Sequence, residues 1–378
     1  MPQEARARPR RRSSSSTARS GARSESGALP AVNDTVWAAQ NTSPAAVEAA
    51  LRDLLIERHS ESDGYVPARV LNLVCIVERQ WSGEIANRLR RVGRYHPSRT
   101  IVCAVSNGRT TIDAVASVAA DALPTDGEHI LTHELVILDV GEGHIERLAS
   151  IVDPLVVTDL TTVVWAPHGH WAAVEALREL SQCVLLDSVE DPNVGGALRR
   201  AQRLLADRYV VDLAWLRSTP WRERIATLFN PPSRRGLLEE ITSLRIRNVA
   251  ESGAAALLLC GWLTTRLGWP RGSLHRDGQG RALGSMGPVS VALESVRQDV
   301  PGLGGVTLGF RDSSSLSLDR SDGGLLATQT DADGSERTWK LLGASRGEGG
   351  ILGEGIRQTL LRDPTYAESL DAAAGMLT

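Results

Sequence analysis

The chain has 378 residues, 42% of them hydrophobic and 23% charged, with a formal net charge of −3. That length fits about two domains, and no apolar run approaches the roughly 18 residues that a membrane-spanning helix needs. The small net charge hides an asymmetry, since residues 1–30 hold seven arginines against two glutamates and leave the rest of the chain acidic.

Residues 1–42, with the run Arg11-Arg-Ser-Ser-Ser-Ser16, carry no apolar periodicity and are expected to be a disordered tail. A solvated extension is favoured over a nucleic-acid-binding arm. No apolar core follows the arginines, so a secretory signal is not expected, whereas an organellar transit peptide stays open. The four cysteines, Cys75, Cys103, Cys183 and Cys260, are widely spaced inside apolar runs. They read as buried reduced thiols of a cytoplasmic protein, with a redox pair between Cys75 and Cys103 as the alternative.

From residue 43 to 210, strand and helix patterns alternate. A helix over 43–58 precedes the strand 70–77, the helix 83–92 and the strand 100–105, which together with Arg69 make one β-α-β unit. A polar stretch follows Asn107-Gly108. Strands are then expected at 134–139, 159–165 and 183–187, with helices at 144–151, 172–180 and 196–207. That alternation argues for a doubly wound, mainly parallel sheet.

Residues 211–378 read as an α+β domain. A Trp-rich segment at 212–222 leads into a helix over 221–229, a strand pattern over 238–249 and a strongly apolar helix over 253–267. Residues 271–287 read as loop. Five short runs between 289 and 341, broken by Gly, Asp and Ser, suggest an antiparallel meander, and two helices near 350–361 and 364–374 close the chain.

Few motifs carry chemistry. Asp139-Val-Gly-Glu-Gly-His-Ile-Glu146 has the first two glycines of a dinucleotide fingerprint, but Glu146 occupies the third position and would face the pyrophosphate. Phosphate-loop and nucleophile-elbow patterns are absent. His129 and His133, and likewise His168 and His170, read as surface loops rather than metal ligands. No cofactor, metal or catalytic residue is therefore expected.

Two constellations remain. In His96-Pro97-Ser98-Arg99 the proline ends the preceding helix, and Ser98 and Arg99 offer donors to an anion or a partner, or else brace a turn. Trp215, Arg217, Trp221 and Arg222 surround Pro220, and Trp and Arg are the residue types that dominate interface hot spots. The alternative is a core between domains with Pro220 opening a helix.

Arg69-Val-Leu-Asn-Leu-Val74, His96-Pro-Ser-Arg99, Asp159-Leu160 with Val164-Trp165, and Asp212-Leu-Ala-Trp215 with Thr219-Pro-Trp-Arg222 occur in the order and spacing of one family. Over roughly residues 45–345 the chain resembles the glucose-6-phosphate dehydrogenase assembly protein family, OpcA. The resemblance implies a non-enzymatic, cytoplasmic protein that associates with glucose-6-phosphate dehydrogenase, promotes its active oligomer and activates it allosterically in the oxidative pentose phosphate pathway. It also implies an N-terminal α/β domain and a C-terminal α+β domain. Val164-Trp165-Ala166-Pro167 departs from the family's double tryptophan, and the tail and the last 30 or so residues fall outside the likeness. Arg69, Asn72, His96, Ser98, Arg99, Trp165, Trp215, Arg217, Trp221 and Arg222 are the expected contacts with a partner or an anion. The competing reading is a sugar-phosphate- or nucleotide-binding enzyme or sensor, with Ser98 and Arg99 near strand ends where open α/β sheets hold ligands.

Overall fold

In the computed structural model, which describes residues 35–61, 69–93, 96–122, 130–342 and 347–377, the first half of the chain builds one eight-stranded sheet. Its elements are β1 (Thr35–Ala39), α1 (Pro44–Glu61), β2 (Leu71–Glu78), α2 (Ser82–Gly93), β3 (Ser98–Ser106), β4 (Asp113–Ala122), β5 (Ile130–Gly141), α3 (Leu148–Val152), β6 (Thr162–Trp165), α4 (Trp171–Ala176), β7 (Cys183–Leu186), α5 (Val194–Leu205) and β8 (Tyr209–Asp212). The strand order is β1-β4-β5-β3-β2-β6-β7-β8. Strands β5, β3, β2, β6, β7 and β8 run parallel, while β4 and β1 pair antiparallel at one edge. Strand β2 is apolar nearly throughout and buried on both faces, as a central parallel strand must be. In α2, Ile85, Leu89 and Val92 recur at helical spacing and form its buried stripe.

Short helices α6 (Leu213–Arg217), α7 (Thr219–Leu228) and α8 (Pro232–Arg235) lead to β9 (Ile241–Asn248) and α9 (Gly253–Arg266). Strands β10 (Leu274–Arg276), β11 (Ala282–Met286), β12 (Val289–Ser295), β13 (Leu303–Phe310), β14 (Ser315–Ser321), β15 (Gly324–Thr330) and β16 (Glu336–Leu342) follow, and α10 (Gly347–Gln358) and α11 (Tyr366–Gly375) close the chain. The second sheet has the order β10-β11-β12-β9-β13-β14-β15-β16. Its pairs are antiparallel except β12 with β9, whose crossover passes through α9. Helix α9 is apolar on nearly every side because it packs against β9, α5, α6 and α11. At 14 residues it is too short to span a bilayer, and among the described residues no helix is long and apolar enough to do so.

The protein is thus α/β, with a mainly parallel first sheet and an antiparallel-rich second sheet, as the alternation of patterns implies. Four local readings need correction. Residues 35–39 form an edge strand rather than tail, whereas residues 1–34 lie outside the described part. The polar stretch after Gly108 contains β4, whose Ala- and Ser-rich sequence lacks a β-branched run. The 271–287 segment holds the β10–β11 hairpin rather than only loop. Strand β8, four residues long, gives too little alternation to be read from sequence.

The two closing helices return to the first sheet. Helix α10 packs on α2 and α6, and α11 lies along α9 and α5. The α9–α11 crossing depends on Gly261, where a Cβ would stand 2.2 Å from the Ser369 carbonyl oxygen. Gly261→Ala is therefore expected to destabilise the fold by about 1–3 kcal/mol in urea denaturation. An unchanged midpoint would contradict this packing.

Candidate functional site

The His96–Arg99 tetrapeptide lies at the start of β3, with Arg69 just before β2, so both stand at the N-terminal edge of the parallel strands. Ligands of open α/β sheets bind beyond the opposite, C-terminal edge. The expectation that Ser98 and Arg99 face the usual ligand crevice is corrected by this placement. Arg99 Nε donates to Glu134 Oε2 at 2.6 Å and its Nη1 to the Leu155 carbonyl at 3.0 Å. Arg69 Nε donates to the other oxygen of the same buried carboxylate. Ser98 Oγ shares a hydrogen bond of 3.2 Å with Thr100 Oγ1. One carboxylate held by two guanidinium groups thus locks the entry ends of β2, β3 and β5 together.

Asn72 is fully buried, and its amide spends all its capacity locally. Nδ2 donates to the carbonyls of Val157 and Leu160 and to Thr162 Oγ1, while Oδ1 accepts from the Val157 backbone. It fastens the connection before β6 to β2. His96 is half-buried, and burial, aided by the nearby Arg357, holds its imidazole below the ordinary histidine range.

The tryptophan group gathers at the end of β8. Trp215 is buried, donates Nε1 to Asp363 at 2.7 Å and lies 5.6 Å from the Tyr366 ring. The guanidinium of Arg222 sits 3.3 Å over the Trp215 ring, and burial pulls its pKa down to about 10. Trp221 is buried, and Arg217 pairs with Asp187 at 2.7 Å. At the centre is Asp212. It accepts from Ser188 Oγ (2.5 Å), the Ser188 backbone (3.0 Å), the Ala214 backbone (2.9 Å) and Tyr366 Oη (3.1 Å).

The order in which strands are added reverses between β2 and β6, which themselves run parallel. From β2 the chain moves outward to β3 and β5, then returns to place β6 on the other side. That topological switch point is where doubly wound sheets open a crevice. Here the first strand-to-helix turn reads Glu78-Arg79-Gln80-Trp81-Ser82-Gly83. Instead of a glycine fingerprint it presents a carboxylate and an indole. The Trp81 ring lies 5.5 Å from that of His168, and His170 Nε2 is 3.6 Å from Glu78. Burial, and then His170, hold His168 below its usual range, so the imidazole is neutral near pH 7. Arg79 pairs with Asp139 at 2.9 Å, and Arg88 lies 5.8 Å over the Trp165 ring. Next to this mouth, beyond β6 and β7, is a cavity of about 520 Å³ lined by His168, Trp171, Asp187, Ser188, Glu190 and Arg200 among others.

The weighed fingerprint at 139–146 follows β5, two strands away from the switch point, and continues as a 3₁₀ turn. Its Gly141 serves packing, because a Cβ there would lie 1.8 Å from the Arg109 carbonyl oxygen. Cys75 pairs with Val102, and Ile76 with Cys103, so the two thiols point to opposite faces of the sheet. This register rules out the redox pair. Burial raises Cys103, Cys183 and Cys260 to about 12, which leaves them inert. His129 lies outside the described residues, and among those described no cluster of three or more His, Cys, Asp or Glu could hold a metal ion.

Sequence reasoning named neither Trp81 nor Asp212 as a site residue. Their signal was position, directly after the first parallel strand and at the end of the last.

Residues 90–203 match the family model described as the glucose-6-phosphate dehydrogenase subunit N-terminal domain, and residues 208–370 match its C-terminal domain. The chain belongs to the OpcA family. Among relatives, a protein of Synechococcus elongatus provisionally named OxPP cycle protein OpcA is 27% identical over 192 residues, 50% of this chain and 43% of its own length. The Synechocystis protein of the same name is 26% identical over 179 residues, 46% of this chain and 38% of its own. The matched part thus spans less than half of these OpcA relatives. The scyllo-inositol dehydrogenase of Lactobacillus casei aligns over 82% of this chain and 96% of its own at 11% identity, with a TM-score of 0.43. A likeness of that strength carries no inference about the chemistry of an OpcA chain.

Two outcomes test the buried networks. Glu134→Gln leaves Arg69 and Arg99 without their shared counter-charge and is expected to cost about 3 kcal/mol or more in urea denaturation. Burial and the nearby Asp187 raise Asp212 to about 6 against its four donors. The folded chain then keeps a proton that the unfolded chain releases near pH 4, so the associated stability is full below about pH 4 and declines as pH rises through 6. Relative to Asp212→Asn, wild-type stability should fall by about 3 kcal/mol across that window. A pH-independent difference between the two proteins would refute the assignment.

Proposed function

We propose that this chain is a non-enzymatic partner of glucose-6-phosphate dehydrogenase that favours the active oligomer of that enzyme and activates it in the cytoplasmic oxidative pentose phosphate pathway. The observation that carries the reading is the match of both halves of the chain, residues 90–203 and 208–370, to models described as domains of a glucose-6-phosphate dehydrogenase subunit. The switch point supports it. A turn bearing Glu78 and Trp81 is poorly suited to a dinucleotide pyrophosphate, which needs bare backbone and a helix N-terminus without a facing carboxylate.

Activation by an added chain requires tighter binding to the active state than to the inactive one. A difference of about 1.4 kcal/mol moves that equilibrium tenfold. A few desolvated aromatic anchors supply as much. Seven of the ten residues expected at the contact, Asn72, Ser98, Arg99, Trp165, Trp215, Trp221 and Arg222, are buried in the chain itself. We assign them to holding the surface from beneath. Arg69, His96 and Arg217 keep partial exposure and are the direct contacts of that set. To them we add Trp81, which is 42% exposed and already oriented by His168 at the crevice mouth.

The dehydrogenase and this chain are expected to co-sediment, with a rise in dehydrogenase activity on titration. Trp81→Ala should weaken the association about tenfold or more while changing the melting temperature little, because the residue is 42% exposed and lies outside the core. An equal affinity for wild type and variant would remove the crevice mouth from the interface. A complete lack of co-sedimentation would reject the assembly reading.

A further inference from the structure

Between α2 and α10 lies an open cleft of about 740 Å³, of whose lining the assembly reading uses only His96. Glu84, Asn87, Arg88 and Arg91 line it from α2, their i, i+3, i+4 and i+7 spacing placing them along one side of that helix. His96, the first residue of the tetrapeptide before β3, reaches it from below. Opposite stand Gly349 and Gly350, in the first turn of the 12-residue α10. The backbone N–H groups of that turn have no partner within the helix and carry the positive end of its dipole.

Gly349 is informative by itself. It does not have the positive φ that would demand glycine, and a Cβ built on it would meet nothing within 4 Å among the described residues. Packing against the described residues therefore does not explain a residue that weakens a helix. A bare backbone facing two arginines across a cleft does have a use, which is close approach by an anion. Arg88 is steadied by its stack on the Trp165 ring, whereas Glu84 also lines the cleft and offers an acceptor for hydroxyl groups.

We propose that this cleft binds a small phosphomonoester, with the phosphate between the α10 N-terminus and Arg88 and Arg91, and a polyhydroxylated remainder against Asn87, Glu84 and His96. The volume exceeds what a lone phosphate fills and falls within the range of small-ligand sites. A sugar phosphate fits better than a nucleotide, because the described lining holds no Trp, Tyr or Phe on which a base would stack. Both helices belong to the surface that α10 closes onto the first sheet, so occupancy would brace the returning C-terminal segment.

Isothermal titration of the isolated chain tests this, with glucose 6-phosphate as the probe and glucose and inorganic phosphate as comparison arms. Saturable binding of glucose 6-phosphate and none of glucose is expected. Arg91→Gln should weaken it about tenfold. Gly349→Ala should weaken it by a similar factor while keeping or raising the melting temperature, a combination that a merely structural glycine would not give. Lack of saturable binding, or wild-type affinity in both variants, overturns the site. Inorganic phosphate binding as tightly as glucose 6-phosphate overturns the ester assignment. The measurement contains no dehydrogenase, so its failure is distinguishable from failure of the assembly reading.

Discussion

Burial of the Asp212 carboxylate is the constraint on which the arrangement of the chain depends. The residue ends β8, caps α6 through the Ala214 backbone, holds Ser188 at the end of β7 and receives the Tyr366 hydroxyl from α11. A buried carboxylate without donors would be prohibitively costly. Four donors from three separate parts of the sequence make it tolerable only in the native arrangement. The same corner adds the Trp215–Asp363 bond and the Arg222–Trp215 stack, so the chain beyond residue 362 is tied back to the first sheet. With α11 fixed there and along α9, α10 is brought over α2 and the cleft between them exists.

The parallel strands follow the order of dinucleotide-binding sheets, yet the chemistry at the switch point is different. The geometry that would receive a pyrophosphate is kept, whereas Glu78, Trp81, His168 and His170 fill it with side chains that pair among themselves. A half-exposed, pre-oriented indole at a concave mouth is suited to protein contact, since an aromatic ring buries much area at little conformational cost. The proposed function thus rests on the side chains grafted at the crevice rather than on the sheet topology.

The alternating strand and helix patterns from 70 to 205 and the meander after 289 were legible because burial on one or both faces imposes its period on the sequence. Strand β4 was not, since its alanines and serines carry little strand propensity even though it is paired on both sides, and β8 was too short to show a period. The site was less legible than the fold. Arg99 and Ser98 look donor-rich on paper, but the partner that satisfies Arg99, Glu134, is 35 residues away and reaches it only through the β3–β5 pairing. Trp215, Trp221 and Arg222 look like an exposed hot spot and are a buried corner, because their covering segment comes from residues 363–366.

Sequence by itself determined the two-part architecture, the family and the lack of a glycine fingerprint after the first parallel strand. Each is a property of local composition, periodicity or ordered short motifs. Tertiary structure alone decided which end of the sheet each polar residue occupies, that Cys75 and Cys103 face apart, and that the last two helices fold back, α10 framing a basic cleft with α2 and His96. Those facts depend on strand register and on contacts between residues more than a hundred positions apart, and no local pattern encodes them.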